Sequence, residues 1–336
     1  MVILIKKMKL LLFTIGIGTI IVVLIFISRL FVDGTNTNTL MGGQIREHAF
    51  NKGFTDIETT VFRSSPKVDE KYFRPSNLPI LNDRRIDSEF LYEFLGKKPE
   101  EIRIPEELLK TPEDTIANYF SIIKHGENLV DGKNGGCGSV GDSDLPYHIT
   151  YNFFTKKYKE KMNVDSYVKS FEGIGHTNLI KMHKVPAESQ RHNYIRYFVE
   201  IETIEGSNTG ATYFAYYYGF IYLTVEQNLY KIAQIDFFGE DFLCAPYHGW
   251  YHLAEANVDI RYGEWCGLIK ERYPTKQNGY VKNMYFRGTD NNDYLIVFFE
   301  LTNGTDIEIA QYRKDILGKW KLIRLNPEKC VEQKKN

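Results

Sequence analysis

Between Asn178 and Phe238 the chain lays down four segments rich in β-branched and aromatic residues: NLIKMHKVP, NYIRYFVEIETIEG, ATYFAYYYGFIYLTVE and NLYKIAQIDFF. The stretches between them, such as EGSNTG and EQN, are turn-forming and short, so the strands pair antiparallel with their neighbours. A second series follows: GYVKNMYFRG, DYLIVFFELT, TDIEIAQYRK and KWKLIRLN. Between its middle two strands lies Asn303-Gly304, which predicts a two-residue hairpin turn. The 23 Tyr and 22 Phe of the 336 residues suit strands and supply large buried area.

Helical spacing precedes each series. In TPEDTIANYFSIIKHGE, Thr111 takes the N-cap position and Pro112 the first helical position, with acids in the first turn. Ile116, Tyr119, Phe120 and Ile123 recur at helical spacing and are expected in a core. A second helix is predicted in YHITYNFFTKKYKEKM and a third, broken one in HGWYHLAEANVDIRYGEWCGLIKERYP. IDSEFLYEFLG and PEELLK read as short helices.

The two series also match residue by residue. Tyr194–Ile201 aligns with Tyr294–Leu301 at an offset of one hundred, and VEQNLYKIAQID aligns with DILGKWKLIRLN at an offset of ninety. Ile195, Tyr197, Val199 and Ile201 in one copy, and Leu295, Val297, Phe299 and Leu301 in the other, are expected on one core-facing side. The expectation is a duplicated unit: helical segments followed by about four antiparallel strands that curve around them.

The N-terminus carries a different message. Leu10 to Ser28 runs without a charge, long enough as a helix (about 28 Å) to cross a hydrocarbon core of about 30 Å. Lys6, Lys7 and Lys9 precede it and only Arg29 follows closely, which predicts a cytoplasmic N-terminus with the remainder outside the cytoplasm. No small-x-small cleavage site follows, so an uncleaved anchor is expected over residues 10–32 behind a short segment 1–9. Residues 33–110, polar, Gly-rich and carrying prolines, read as a stalk with partial structure. Cys137, Cys244, Cys266 and Cys330 suit an oxidising exterior and allow two disulfides in any of three pairings.

The closing GKWKLIRLN, after antiparallel strands and a leading helix of TPEDTIANYF type, resembles the NTF2-like (cystatin-like) superfamily. That resemblance implies an α+β fold in which helices pack on curved antiparallel sheets, once over residues 111–243 and again, in shorter form, over 244–330, with 331–336 as a tail. It also implies a binding or scaffold role in the cell envelope, since an anchor followed by two such domains is similar to assembly proteins of conjugation-type channels. Other members are isomerases or dehydratases with Tyr and carboxylate groups in a conical cavity, and Tyr213, Tyr216, Tyr218 and Asp236 would be the candidates here.

Charge narrows the classes. With 42 basic and 43 acidic residues the chain carries no nucleic-acid footprint. CAPYHGWYH spaces Cys244, His248 and His252 as metal ligands on a helix would be, but Pro246 and Gly249 oppose a continuous helix and no fourth ligand is evident, so no metal or cofactor is expected. GKNGGCGSVGD lacks the phosphate-loop order. His176, His183 and His192 have no spaced partners. The aromatic strand ATYFAYYYGFIYLTVE holds more rings than one sheet face buries, so Tyr213, Tyr216 and Tyr218 are the expected interaction surface for a protein partner, with homo-oligomerisation left open.

Overall fold

A computed structural model describes residues 39–46, 76–84, 86, 88–130, 132–133, 144–188, 193–241 and 249–334. The span expected over residues 10–32 lies outside the described residues, as do Cys137, Cys244, His192 and His248. Among the described residues no helix is long and apolar enough to cross a membrane.

The helices come first. A short α1, Ser88–Tyr92, and a 3-10 turn, Glu106–Leu109, lead into α2, Pro112–Ile123. Thr111 caps α2 as its sequence predicts: its backbone is extended and its hydroxyl accepts from the Asp114 N–H at 3.0 Å. Ile116, Tyr119, Phe120 and Ile123 are all buried. The predicted second helix is instead broken into α3, Leu145–Thr150, a 3-10 turn at Tyr151–Phe153, and α4, Lys156–Lys159. The break falls where Thr155 leaves helical geometry and caps the Tyr158 N–H, while its own N–H donates to Ile232 O at 2.9 Å. A further helix, α5 at Val164–Lys169, follows under an Asn163 cap.

The first sheet has β1 (Thr39–Leu40), β2 (Gly43–Ile45), β3 (Ile174–Val185), β4 (Ile195–Gly206), β5 (Thr212–Glu226) and β6 (Leu229–Gly239). Their order is β1-β2-β6-β5-β4-β3, antiparallel except where β2 joins β6 in parallel. Residues 39–46, which the sequence reading placed in the stalk, thus form an edge of this sheet. The turn that joins β1 to β2 needs a bare backbone: Gly42 has φ +73 and a Cβ there would meet Tyr167 at 2.4 Å.

The second series starts with a 3-10 turn, Trp250–His252, then α6, Ala254–Val258, and a π-helical stretch, Asp259–Trp265. The predicted third helix ends there, because Ile269–Arg272 pairs as β7 with a later strand. After it come β8 (Lys276–Asn278), β9 (Val281–Gly288), β10 (Asp293–Glu300), β11 (Asp306–Lys314) and β12 (Trp320–Ile323). The path is β12-β11-β10-β9-β7, with β8 also on β9. A C-terminal helix, α7 at Pro327–Lys334, is held to the π-helical stretch by a disulfide between Cys266 and Cys330.

The strands matched by the expected repeat share a meander order and differ in register. β3-β4-β5-β6 and β9-β10-β11-β12 are both antiparallel meanders, but β4 lies next to an edge strand while β10 is the middle strand of its path, since β7 and β8 precede β9. Yet Tyr197, Val199 and Ile201 face the first sheet's helices, whereas their partners at an offset of one hundred, Val297, Phe299 and Leu301, face the first sheet. In β10 it is Tyr294, Ile296 and Phe298 that meet α6 and the π-helical stretch. The same reversal affects the closing strands: Ile232 is buried under helices, while Leu322 is exposed and Ile323 packs inward. A shift of one residue exchanges the faces of a strand. Here both faces are apolar, so alternation alone could not choose between them.

Four layers result: helices α2 to α5, the first sheet, the second sheet, and α6 with its π-helical extension. From Thr39 onward the chain packs as one unit. Between the sheets lies a core of Phe198, Tyr218, Phe220 and Tyr222 from the first and Phe299 and Leu301 from the second, with Phe198 and Phe299 edge to face at 5.1 Å. The surplus rings of β5 are therefore largely covered by the chain's own second sheet.

Candidate binding groove

Two features of the sheet–sheet junction concentrate polar groups, one sealed and one open. The sealed one begins with a β-bulge. Pairing of β3 with β4 skips from Leu179 to Lys181, so Lys181 points away from the helices, which an unbroken alternation would not allow. Its ammonium lies 2.6 Å from the Glu200 carboxylate and 2.6 Å from Glu300 O, and it stands over the Tyr280 ring at 5.2 Å. Both Lys181 and Glu200 side chains are buried. The other Glu200 oxygen accepts from the Thr302 N–H at 2.8 Å and from the Thr302 hydroxyl.

The β10–β11 turn next to that contact is longer than its sequence predicts. Instead of a two-residue turn at Asn303-Gly304, three residues, Thr302 to Gly304, lie inside the closing Leu301–Thr305 pair, and only Gly304 has positive φ, at 83. A two-residue turn would require positive φ at Asn303 as well. The longer loop brings Thr302 over Glu200.

Glu240 joins this cluster. Both its side-chain oxygens are buried, facing Glu200 and the Asn303 backbone. Burial first, and then the neighbouring Glu200 carboxylate, hold its acid well above the ordinary value of 4.5, with the Lys181 ammonium opposing. The proton is thus kept in the folded chain at a pH where the unfolded chain has lost it. Stability is expected to fall as pH rises from about 4.5 toward the native value, because ionisation favours the unfolded state in that window. Glu240→Gln should flatten this dependence in urea-unfolding midpoints measured between pH 4 and 7, and an unchanged slope would refute the assignment.

The open feature is a groove of about 260 Å³ lined from both sheets. Glu188 and Arg196 form its first-sheet wall, and Gln311, Leu322, Arg324 and Leu325 its second. Each wall is braced from behind. The Arg196 guanidinium lies 3.7 Å from the Phe220 ring centre and 3.2 Å from Glu188, which also accepts from the Tyr222 hydroxyl at 2.9 Å. Gln311 donates to Tyr262 Oη at 2.8 Å and Glu308 at 2.7 Å, and bonds the Leu325 backbone in both directions. Glu308 is in turn held by Arg261 at 2.9 Å, and Arg261 by Glu328 of α7 at 2.7 Å. Arg324 differs: it is exposed, and its guanidinium reaches Ala187 O only at 3.5 Å. The groove is preformed, its carboxylates are already opposed, and Arg324 is its best-placed group for an incoming anion.

The residues singled out from sequence do not form one surface. Tyr213 and Tyr217 point to the helix side and both donate to Glu205, at 3.1 and 2.8 Å. Tyr216 points to the other face and donates to Glu202 at 2.8 Å. Tyr218 is buried between the sheets, stacked on Phe238 at 5.0 Å, and cannot meet a partner. Asp236 lies elsewhere again, paired with Arg46 at 3.1 Å. Burial and the Glu205 carboxylate push the Tyr213 phenol up to about 12, so at neutral pH it remains a donor. The space between helices and first sheet is filled by rings, among them Tyr119, Phe153, Phe154, Tyr167 and Phe171.

His252 is buried in its 3-10 turn, and its two spaced companions fall outside the described residues. His176 is bonded to Asn178 at 3.0 Å, and His183 packs on Phe299 at 4.9 Å. Among the described residues no group of three or more His, Cys, Asp or Glu side chains could hold a metal ion. Comparison of the chain with protein-family models, curated proteins and solved structures gives no match.

Lys181, Glu200, Arg196 and Arg324 were not among the sequence candidates. One signal was present: NLIKMHKV and YFVEI each set a charge inside an apolar strand, which predicts a partnered buried ion.

Proposed function

We propose that the chain is a membrane-anchored, extracytoplasmic binding protein built from two NTF2-like halves. Its inter-sheet groove takes an extended segment of an envelope partner bearing a carboxylate. The carrying observation is the groove itself, whose walls are fixed from behind while the Arg324 guanidinium stays exposed. A preformed site binds without the cost of ordering its own side chains. Two helix-backed antiparallel meanders support the superfamily resemblance, the Cys266–Cys330 bond supports an oxidising compartment, and the charge-free run from Leu10 to Ser28 supports the anchor. A place in a conjugation-type transfer assembly is compatible with such a role.

The test is a photoreactive residue at Ala187 in the full chain, irradiated in intact cells. A discrete adduct with one envelope protein is expected, and Arg324→Glu should reduce its yield about fivefold or more, the equivalent of about 1 kcal/mol at an interfacial charge. Absence of an adduct, or a yield indifferent to Arg324→Glu, would sink the reading.

A further inference from the structure

The β11–β12 hairpin ends in an apolar point. Ile316 is fully exposed, Leu317 is 76 % exposed, and behind them Leu322 and Trp320 also reach the surface. The turn is not loose. Asp315 N–H donates to Lys319 O at 2.8 Å, Gly318 N–H returns to Asp315 O at 2.9 Å, and the Asp315 carboxylate accepts from the N–H groups of Leu317 and Lys319, both at 2.9 Å. Gly318, at φ +78, completes it. With the turn's polar groups satisfied inward, the two aliphatic side chains are held outward. The corresponding hairpin of the first sheet carries Gln227 and Asn228 in its turn, so nothing in the hairpin geometry demands apolar residues there.

Along the hairpin itself the charge is mostly basic. From Arg313 to Arg324 there are five basic residues, Arg313, Lys314, Lys319, Lys321 and Arg324, and one acid, Asp315. Lys314 stands over the Trp320 ring at 5.6 Å with Asp293 of β10 at 3.8 Å, Lys321 lies 3.5 Å from Asp315 while remaining largely exposed, and Lys319 and Lys321 are the cations the test addresses. Aliphatic groups at the tip, an indole behind them and lysines around the rim match the layering of a bilayer surface: acyl chains, interface, anionic headgroups.

We propose that this hairpin tip dips into the surface of an anionic lipid bilayer. The occupant is argued from area as well as charge. Two aliphatic side chains and parts of Leu322 and Trp320 offer at most a few hundred Å², well under the ~800 Å² per partner of a stable protein interface. A membrane sets no such minimum, because shallow insertion adds to charge attraction. Lipid contact at the tip does not depend on the N-terminal span or on what fills the groove.

The full chain, with the photoreactive benzoylphenylalanine in place of Leu317, would be reconstituted in nanodiscs of phosphatidylcholine alone or with about a third phosphatidylglycerol. Irradiation should give a lipid adduct on the peptide containing position 317, at least about fivefold more abundant with the anionic lipid, since each basic residue near such a surface contributes roughly that factor. Lys319→Glu with Lys321→Glu should return the yield to the phosphatidylcholine level without changing the melting temperature. The same probe at Thr209, on the β4–β5 loop, should give none. Absence of a lipid adduct, equal yields in both lipids, or cross-links to a second copy or to another protein would overturn the proposal. Retention of the chain in the disc after alkaline extraction reports the N-terminal span separately, so the two can fail independently.

Discussion

Lys181→Met is expected to destabilise the fold by about 3–5 kcal/mol, the usual cost of removing one partner from a buried ion pair. The methionine chain fills the same volume, so the loss is electrostatic. The Glu200 side chain would lose its ammonium partner while shut between two sheets and beside Glu240. The Thr302 hydrogen bonds to Glu200 remain, but they do not replace the ion pair. Lys181→Met combined with Glu200→Leu should recover most of the loss, because well-packed apolar replacements of buried pairs are often neutral. Urea unfolding of the two single variants and the double variant closes the cycle. Additive losses would show that the pair is not coupled and that the sheets are held by the aromatic core alone.

Cys330→Ser is the second large effect. The bond closes a loop of 64 residues that contains all of β7 to β12, and the chain-entropy account gives ~4 kcal/mol for a loop of that size. Measured values run lower when the reduced chain keeps residual structure. The Arg261–Glu328 ion pair, the Gln311–Leu325 bonds and the packing of Ile323 and Leu325 would then hold the C-terminal segment. A fall in melting temperature of the second sheet's unfolding, matched by mild reduction of the wild-type chain, is the expected result. No change on reduction would mean that the α7 contacts suffice. Because Leu325 lines the groove, loss of the disulfide should also weaken whatever the groove binds.

How far the sequence reached differs from element to element. The Thr111 cap, the core positions of α2 and all eight main strands were legible, since each depends on neighbours within a few residues. The helix over YHITYNFFTKKYKEKM was read as continuous because its spacing is helical throughout. Its break at Thr155 depends on a backbone bond to Ile232, far away in sequence. The Asn303-Gly304 turn is longer than predicted, and its first residue, Thr302, bonds to a carboxylate 102 residues upstream. The rings of β5 predict an open face that includes Tyr218, but the second sheet covers that face and buries it.

By itself the amino-acid sequence determined which segments are strands, that they pair as two antiparallel meanders behind helices, and where the first long helix begins. These follow from local periodicity and caps. Only the tertiary structure decided which face of each strand is the inner one, that the two sheets bury one another, that a bulge aims Lys181 at Glu200, and that Arg196 and Arg324 frame a groove. The physical reason is shared: when both faces of a strand are apolar, alternation carries no sign, and the choice falls to contacts between residues far apart in the chain.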